Sequence, residues 1–373
     1  MSESDQRAYV LAFSRIKGIG PARLRLLQTR FGSLSDAWKV DPADLLSAGL
    51  DQKSIFAIVE ARKSAQPERD LEKYEHSDIH VLTWDDASYP RLLRQINDPP
   101  PVLYIKGSLI DADDWAIGLV GTRRASVYGR EAAEHLASDL ARNHITVVSG
   151  LARGIDGFAH AAAIKAGGRT IAVLGCGVDI YYPPEHRKLA DEIVQHGALI
   201  SDYPPGTQPD SMNFPPRNRI ISGLSLGVVV VEADEKSGAL ITSDFAAEQG
   251  REVFAVPGNI FNRSSRGANK LIQKGAKLVL STADILDELN LSMVTSYVST
   301  QALAPENETE RLLLTQLSHE PVLTDDLVNL LKLPTEVVTG TLALMELKGL
   351  VRQASGTSYI LAREGQSSYG ESQ

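Results

Sequence analysis

A chain of 373 residues, 43% of them hydrophobic, is too long for one ordinary domain and can bury two or three cores. Its one cysteine, Cys176, excludes an internal disulfide and fits a reducing cytoplasm. The opening MSESDQRAYV lacks a signal-peptide pattern and no run reaches the roughly 18 apolar residues of a membrane span, so a cytoplasmic protein without a membrane partner is expected.

The net charge of −9 argues at first sight against a nucleic-acid partner, which needs local positive potential. The charge is uneven, however. Residues 1–114 carry 15 basic and 18 acidic side chains, 115–290 carry 18 and 19, and 291–373 carry 5 and 10. The middle of the chain is nearly neutral, so the placement of its cations matters more than their sum.

Residues 1–65 read as a small helical domain. Val10, Phe13, Leu24, Leu27, Phe31 and Trp38 recur at helical spacing, and Gly18–Pro21 interrupts it. The turn KGIGPAR resembles a helix-hairpin-helix, whose glycines let backbone amides approach a phosphate; a tight turn within a helical bundle is the alternative. Residues 66–114 read as a connector and lead-in, in which Pro99, Pro100 and Pro101 force an extended path.

From residue 115 to 290 the pattern changes. The runs AIGLVG, ITVVSG, TIAVLG, ALIS, GVVVVEA, EVFAVPG and KLVL alternate with helical stretches. Continuous apolarity means strands buried on both faces, and helices between them give βαβ units. The expectation is an α/β, Rossmann-like, doubly wound and mostly parallel sheet.

Ligands of such sheets bind beyond the carboxyl ends of the strands. There the chain places Gly121-Thr122-Arg123, then Ser149-Gly150 with Arg153 and Gly154, then Gly175-Cys176-Gly177, FPPRNRIISG, Ser237-Gly238 with Thr242, Pro257-Gly258 and NRSSRGANK. Glycines permit close backbone approach and hydroxyls can cap a helix or donate to a phosphate. Repetition of this chemistry on one sheet edge points to an anion site.

Cations gather on the same edge: Arg123, Arg124, Arg153, Arg217, Arg219, Arg263, Arg266 and Lys270. Pro215 and Pro216 suit the opening of a helix, which puts Arg217 and Arg219 in its first turn. Cations there oppose the helix dipole by about 0.3–1 kcal/mol each. A bound anion would reverse this, and so would ion pairs with Glu232 or Asp202. Phe158, Tyr181, Tyr182 and Phe214 are the aromatic residues available for stacking on bases.

Asp156, Asp179, Asp202, Glu232 and Asp234 could in principle serve acid–base chemistry. Asp156 and His160 share a helical face at i,i+4, and a buried His–Asp pair is the preferred reading. No third ligand is in sight, so no metal is expected. Neither G-x-G-x-x-G nor G-x-x-x-x-G-K-[ST] occurs after the first strand, which argues against a dehydrogenase or an NTPase and predicts no cofactor.

Residues 291–306 read as a linker, 307–362 as helices closed by a hairpin at Gly356, which suggests a winged-helix-like domain, and 363–373 as a tail. The candidate recognition helix of that domain carries Glu336, Glu346 and only Lys348, and the wing offers Arg352. A protein-interaction role through Val337, Leu342 and Met345 is expected, unless that face is the domain's own core.

These residues closely resemble the DprA/Smf family of bacterial DNA-processing proteins. The matching strings are YPRLL…DPPPVLYIKG, VGTRRASVYG, VVSGLARGIDGFAHAAAI, IAVLGCGVDIYYPPEHRKL, FPPRNRIISGLSLGVVVVEA, SGALITSDFAAEQGREVFAVPG and GANKLIQKGAKLV, from residue 89 to about 280. The resemblance implies a non-catalytic homodimer that binds single-stranded DNA and helps load RecA recombinase in natural transformation. It also implies small helical (SAM/helix-hairpin-helix-like) and winged-helix-like end domains.

By the same resemblance Arg123, Arg217, Asn218 and Arg219 carry the nucleic-acid site; the strand-end chemistry adds Gly121, Thr122, Ser149, Gly150, Arg153, Gly154, Arg266 and Lys270, and whether Arg187 joins them is left open. The dimer contact falls on Leu271, Ile272, Gln273 and Leu278. Two departures stand out: Ser201-Asp202 replaces the usual Ser-Glu, and Pro184 replaces a lysine, with Arg187 nearby. The alternative is a phosphoribohydrolase-like nucleotide-processing enzyme, since SGALIT…AAEQ resembles part of that family's loop, without its double glycine. A transcription factor led by the winged helix is disfavoured by the acidic C-terminal segment.

Overall fold

The structure is a computed structural model that describes residues 3–291, 308–318, 321–347, 351–355 and 358–361. It divides into two compact units, Met1–Asn290 and Leu291–Gln373. The expected linker at 291–306 (apart from Leu291), Lys348, the Gly356 turn and the tail lie outside the described residues.

The first unit opens with helices α1 (Glu3–Ser14), α2 (Pro21–Phe31), α3 (Leu34–Ala37), α4 (Pro42–Ser47) and α5 (Gln52–Arg62). Leu24, Leu27, Leu34, Leu45 and Ile58 are wholly buried, and Phe13 packs edge-on to Trp38 with ring centroids 4.8 Å apart. Gly18 takes φ +91° in the turn before α2, the left-handed conformation that glycine adopts most readily.

The lead-in segment does more than connect. After α6 (Pro67–Glu75) come β1 (Ile79–Thr83), α7 (Arg91–Arg94) and β2 (Val102–Gly107). β1 pairs antiparallel with β2, and β2 pairs antiparallel with a core strand through Tyr104 and Ser201.

The core follows as β3 (Ala116–Val120), α8 (Val127–Arg142), β4 (Thr146–Ser149), α9 (Ile155–Lys165), β5 (Thr170–Val173), α10 (Arg187–His196), β6 (Gly197–Ser201), α11 (Phe214–Gly223), β7 (Gly227–Val230), α12 (Ala239–Glu248), β8 (Glu252–Ala255), α13 (Arg266–Gln273), β9 (Lys277–Leu278) and α14 (Thr282–Glu288). The sheet order is β1-β2-β6-β5-β4-β3-β7-β8-β9, parallel from β6 to β9. β3 to β7 are buried along their whole length, as the continuous apolar runs require.

The winding runs outward from β3 to β6, then crosses back to β7 on the other side of β3. The β3/β7 boundary is therefore the topological switch point, where an open α/β sheet leaves a crevice. Among the described residues no helix is long and apolar enough to cross a membrane.

The second unit contains α15 (Glu308–Gln316), β10 (Val322–Leu323), α16 (Thr324–Leu331), α17 (Thr335–Leu347), β11 (Val351–Ser355) and β12 (Ser358–Leu361). Its sheet order β10-β12-β11 completes a winged helix. The expected interaction face splits here. Leu342 and Met345 are wholly buried in the unit's own core beside Leu313 and Val338, whereas Val337 is exposed.

Candidate nucleic-acid interface

The loops that leave the parallel strands crowd together at the switch point. The Thr122 amide donates to the Glu232 carbonyl at 2.7 Å, and the Ile155 amide donates to the Thr122 carbonyl at 3.2 Å. Gly154 takes φ +75°, and a β-carbon there would overlap the Thr122 carbonyl, so this close crossing requires glycine.

Arg217, which lines the same edge, is engaged rather than free. It opens α11, is only 5% exposed, and donates from Nη1 to the carbonyls of Gly150 (2.9 Å) and Val173. The ends of β4 and β5 thus supply the negative partners that the first turn of α11 lacks. Asp156 is also buried and accepts the amides of Gly150 (3.1 Å) and Ala152 (3.3 Å). Burial pushes the Asp156 carboxyl up and the Arg217 guanidinium down, and each charge opposes the other's shift.

Arg219 is likewise engaged. Its Nη2 lies 2.8 Å from Asp202 Oδ2, and its Nε lies 3.6 Å from Asp98. This is the ion pair with Asp202 that the sequence allows, reinforced from the lead-in. Burial raises the Asp202 carboxyl, and Arg219 opposes that shift.

Ser149 is wholly buried and donates to the Leu119 carbonyl at 2.6 Å, which removes it from any surface contact. The expected Asp156–His160 pair does not form. His160 Nδ1 is 2.6 Å from Thr170 Oγ1, because β5 passes closer to its ring than Asp156, which is held by backbone amides.

A groove of about 500 Å³ lies over the strand ends, lined among others by Gly121, Arg123, Phe214, Asn218, Gly238 and Thr242. Tyr182 stacks on Phe214 with centroids 5.5 Å apart and planes 24° apart. Arg123 stands over the Phe214 ring at 5.5 Å, is exposed, and has no carboxylate within ion-pair range among the described residues. Asn218 donates to the Gly238 carbonyl at 3.3 Å and closes the far wall.

The remaining expected contacts differ in availability. Arg153 pairs with Glu185, whereas exposed Arg187 lies over the Tyr181 ring at 5.2 Å. Arg266 is exposed without a carboxylate partner among the described residues, and Lys270 stands 3.8 Å from Glu235. Phe158 is covered by Arg130 at 5.0 Å. What the sequence did not reveal is the role of Glu232, which accepts the Ser126 amide (2.9 Å) and the Ser264 hydroxyl and so ties two loops together.

Leu271 and Ile272 of α13 are half-buried against the core, and Gln273 is exposed. Strand β9 ends the sheet, with Leu278 at 38% and Leu280 at 75% exposure. No group of three or more His, Cys, Asp or Glu among the described residues is arranged to hold a metal ion.

Residues 80–290 match the family described as DNA recombination-mediator protein A, and residues 298–357 match the DprA winged helix domain. The chain is 37% identical to Protein Smf of Synechocystis sp., over 96% of this chain and 99% of that relative. The X-ray structure of DNA processing protein A from Streptococcus pneumoniae is similar at a TM-score of 0.66 and 36% identity, covering 77% of this chain and 98% of the other. A structure of DNA processing protein A from Helicobacter pylori, described by its unique single-stranded DNA binding mode, is similar at a TM-score of 0.52 and 30% identity. It covers 57% of this chain and 96% of the other.

Proposed function

The chain belongs to the DNA recombination-mediator protein A family, and from that premise we propose that it binds single-stranded DNA in the groove over the strand ends. The observation that carries this reading is the unpaired, exposed Arg123 beside the Phe214–Tyr182 stack. A free guanidinium grips a phosphate, and an aromatic platform takes any base, so binding is salt-sensitive and tolerant of sequence. The single-stranded DNA binding of the Helicobacter pylori relative supports the same chemistry.

The protein acts as a cytoplasmic homodimer that presents the strand to RecA recombinase, with no cofactor and no chemical step of its own. An enzyme on this fold is less well supported. Asp156 is bound by two amides, Asp202 by Arg219, Glu232 by Ser126 and Ser264, and Asp179 by the Gly206 amide. Carboxylates so engaged are poorly placed to shuttle protons.

Gel shifts with single- and double-stranded oligonucleotides of equal length, across a salt series, test the reading. Preference for the single strand is expected. Equal or tighter binding of the duplex would overturn it. Stimulation of RecA filament assembly by the added protein checks the partner separately.

A further inference from the structure

Past β8 the chain turns outward through Pro257–Asn262, and the tip of this turn is apolar. Phe261, at 87% exposure, is the most exposed large apolar side chain among the described residues, and Ile260 is 72% exposed. The turn is held in place at its base. Asn269 exchanges two hydrogen bonds with the Gly258 backbone, at 3.0 and 2.9 Å, and the Tyr128 hydroxyl donates to the Pro257 carbonyl at 2.8 Å. Tyr128 and its neighbour Val127, 51% and 74% exposed, open α8 beside it.

The carboxylates on the loops around the turn are engaged, while Glu131, one turn into α8 from Tyr128, is exposed. Glu232 is taken by Ser126 and Ser264, Asp234 by Arg263 at 2.8 Å, and Glu235 by Lys270. Arg124 and Arg266 are exposed with no carboxylate at ion-pair distance among the described residues, although the Glu235 amide, then Arg263 and Arg266, hold the Asp234 carboxyl below the usual range. A solvent-facing aromatic beside exposed guanidinium groups outside ion pairs matches the stacking-plus-phosphate chemistry of a single-stranded nucleic acid. A patch meant only for an apolar protein surface would gain nothing from those cations.

We propose that Phe261, with Tyr128 beside it, is a second stacking station for the strand whose first station is Phe214. This rests on the single-strand reading of the groove. Arg217 fixes α11 to the ends of β4 and β5, whereas Pro257 follows β8, three to four strands across the sheet. At ~4.8 Å per strand the stations stand about 15–20 Å apart. At a stacked rise of about 3.4 Å per step, the gap takes some four to six steps, about five to seven nucleotides, whereas four nucleotides stack over only about 10 Å. A four-nucleotide strand therefore engages one station, and a twenty-nucleotide strand engages both.

The test is equilibrium titration of the full-length protein with oligothymidine of 4 and 20 nucleotides. Phe261→Ala and Phe261→Leu should each weaken the 20-mer about ten-fold, the stacking of one base, while Phe261→Trp retains wild-type affinity. The 4-mer should bind all of them alike. If Arg123→Ala weakens the 20-mer but Phe261→Ala does not, the second station is absent and the groove reading stands. If neither variant weakens it, the groove reading fails as well. Wild-type affinity in Phe261→Leu alongside a loss in Phe261→Ala would mark an apolar contact instead. An altered sedimentation coefficient in Phe261→Ala would place the turn in a self-association surface. Either of these last results overturns the proposal.

Discussion

Arg217 donates from Nη1 to the carbonyl oxygen of Gly150 at 2.9 Å, across 67 positions of chain. A β-carbon on Gly150 would stand 2.7 Å from Nη2 of the same guanidinium. The two residues therefore constrain each other, and the cation that looks most like a phosphate ligand in the sequence is tied into the fold although it also lines the groove.

Substitutions at the pair should thus be read out first as stability. Gly150→Ala overpacks the contact and is expected to cost about 1–3 kcal/mol. Arg217→Ala leaves the Gly150 and Val173 carbonyls without their donor, at about 1–3 kcal/mol for each buried acceptor. Both should lower the urea midpoint. A wild-type midpoint for Arg217→Ala, together with lost DNA binding, would return Arg217 to the surface role.

Arg123→Ala should behave in the opposite way. Its side chain is exposed and unpaired, so the urea midpoint is expected to stay unchanged. The slope of log K against log salt for single-stranded DNA should lose about 0.7 in magnitude, the counterion release of one phosphate contact. Anisotropy titrations across a salt series give the slope directly. An unchanged slope would remove Arg123 from the interface.

His160 predicts an acid-sensitive fold. Thr170 Oγ1 gives its one proton to the Val147 carbonyl at 2.8 Å, so His160 Nδ1 must donate to Thr170. Nε2 is then a buried lone pair without a hydrogen-bond partner among the described residues. Burial pushes the His160 pKa down to about 3, helped by the nearby His186 and Arg217.

An unfolded histidine titrates near ~6.5, so between these values the unfolded state alone binds the proton. Stability is fully present above the unfolded pKa and is lost as pH falls through it. Between pH 7.5 and 5.0 the wild type should lose about 2 kcal/mol more than His160→Gln. Parallel pH dependences of the two urea midpoints would contradict this placement of the ring.

The open edge of β9 offers a cleaner test of dimerisation than α13 does. Ile272 is half-buried against the core, so Ile272→Glu perturbs fold and interface together. Leu280 is 75% exposed beside an unpaired strand edge, where a two-fold contact could form. Leu280→Glu should give folded monomers in sedimentation with little change in thermal stability. A dimer of wild-type affinity would exclude this edge.

Truncation after Asn290 follows the boundary between the two units. The winged helix carries Asp325, Asp326, Glu336 and Glu346 on its helices, which repel a phosphate backbone. Affinity for single-stranded DNA should stay within a few-fold of the full chain. A ten-fold loss, about 1.4 kcal/mol, in a folded truncated protein would show that this unit grips DNA.

The buried parallel strands were legible in the sequence, because a strand covered on both faces is apolar along nearly all its length, as AIGLVG and GVVVV are. The site's location was legible too, since a parallel sheet sends every following loop to one edge, where the glycines and arginines recur. Which arginines remain free was decided only by the tertiary structure. A cation's availability depends on partners that chain order does not bring near: Asp98 reaches Arg219 from 121 positions away, and Val173 holds Arg217 from 44. The failed Asp156–His160 pair has the same cause. Helical periodicity says which side chains share a face, whereas the strand that packs against that face chooses their partners; β5 gave Thr170 to His160, and the Gly150 and Ala152 amides took Asp156.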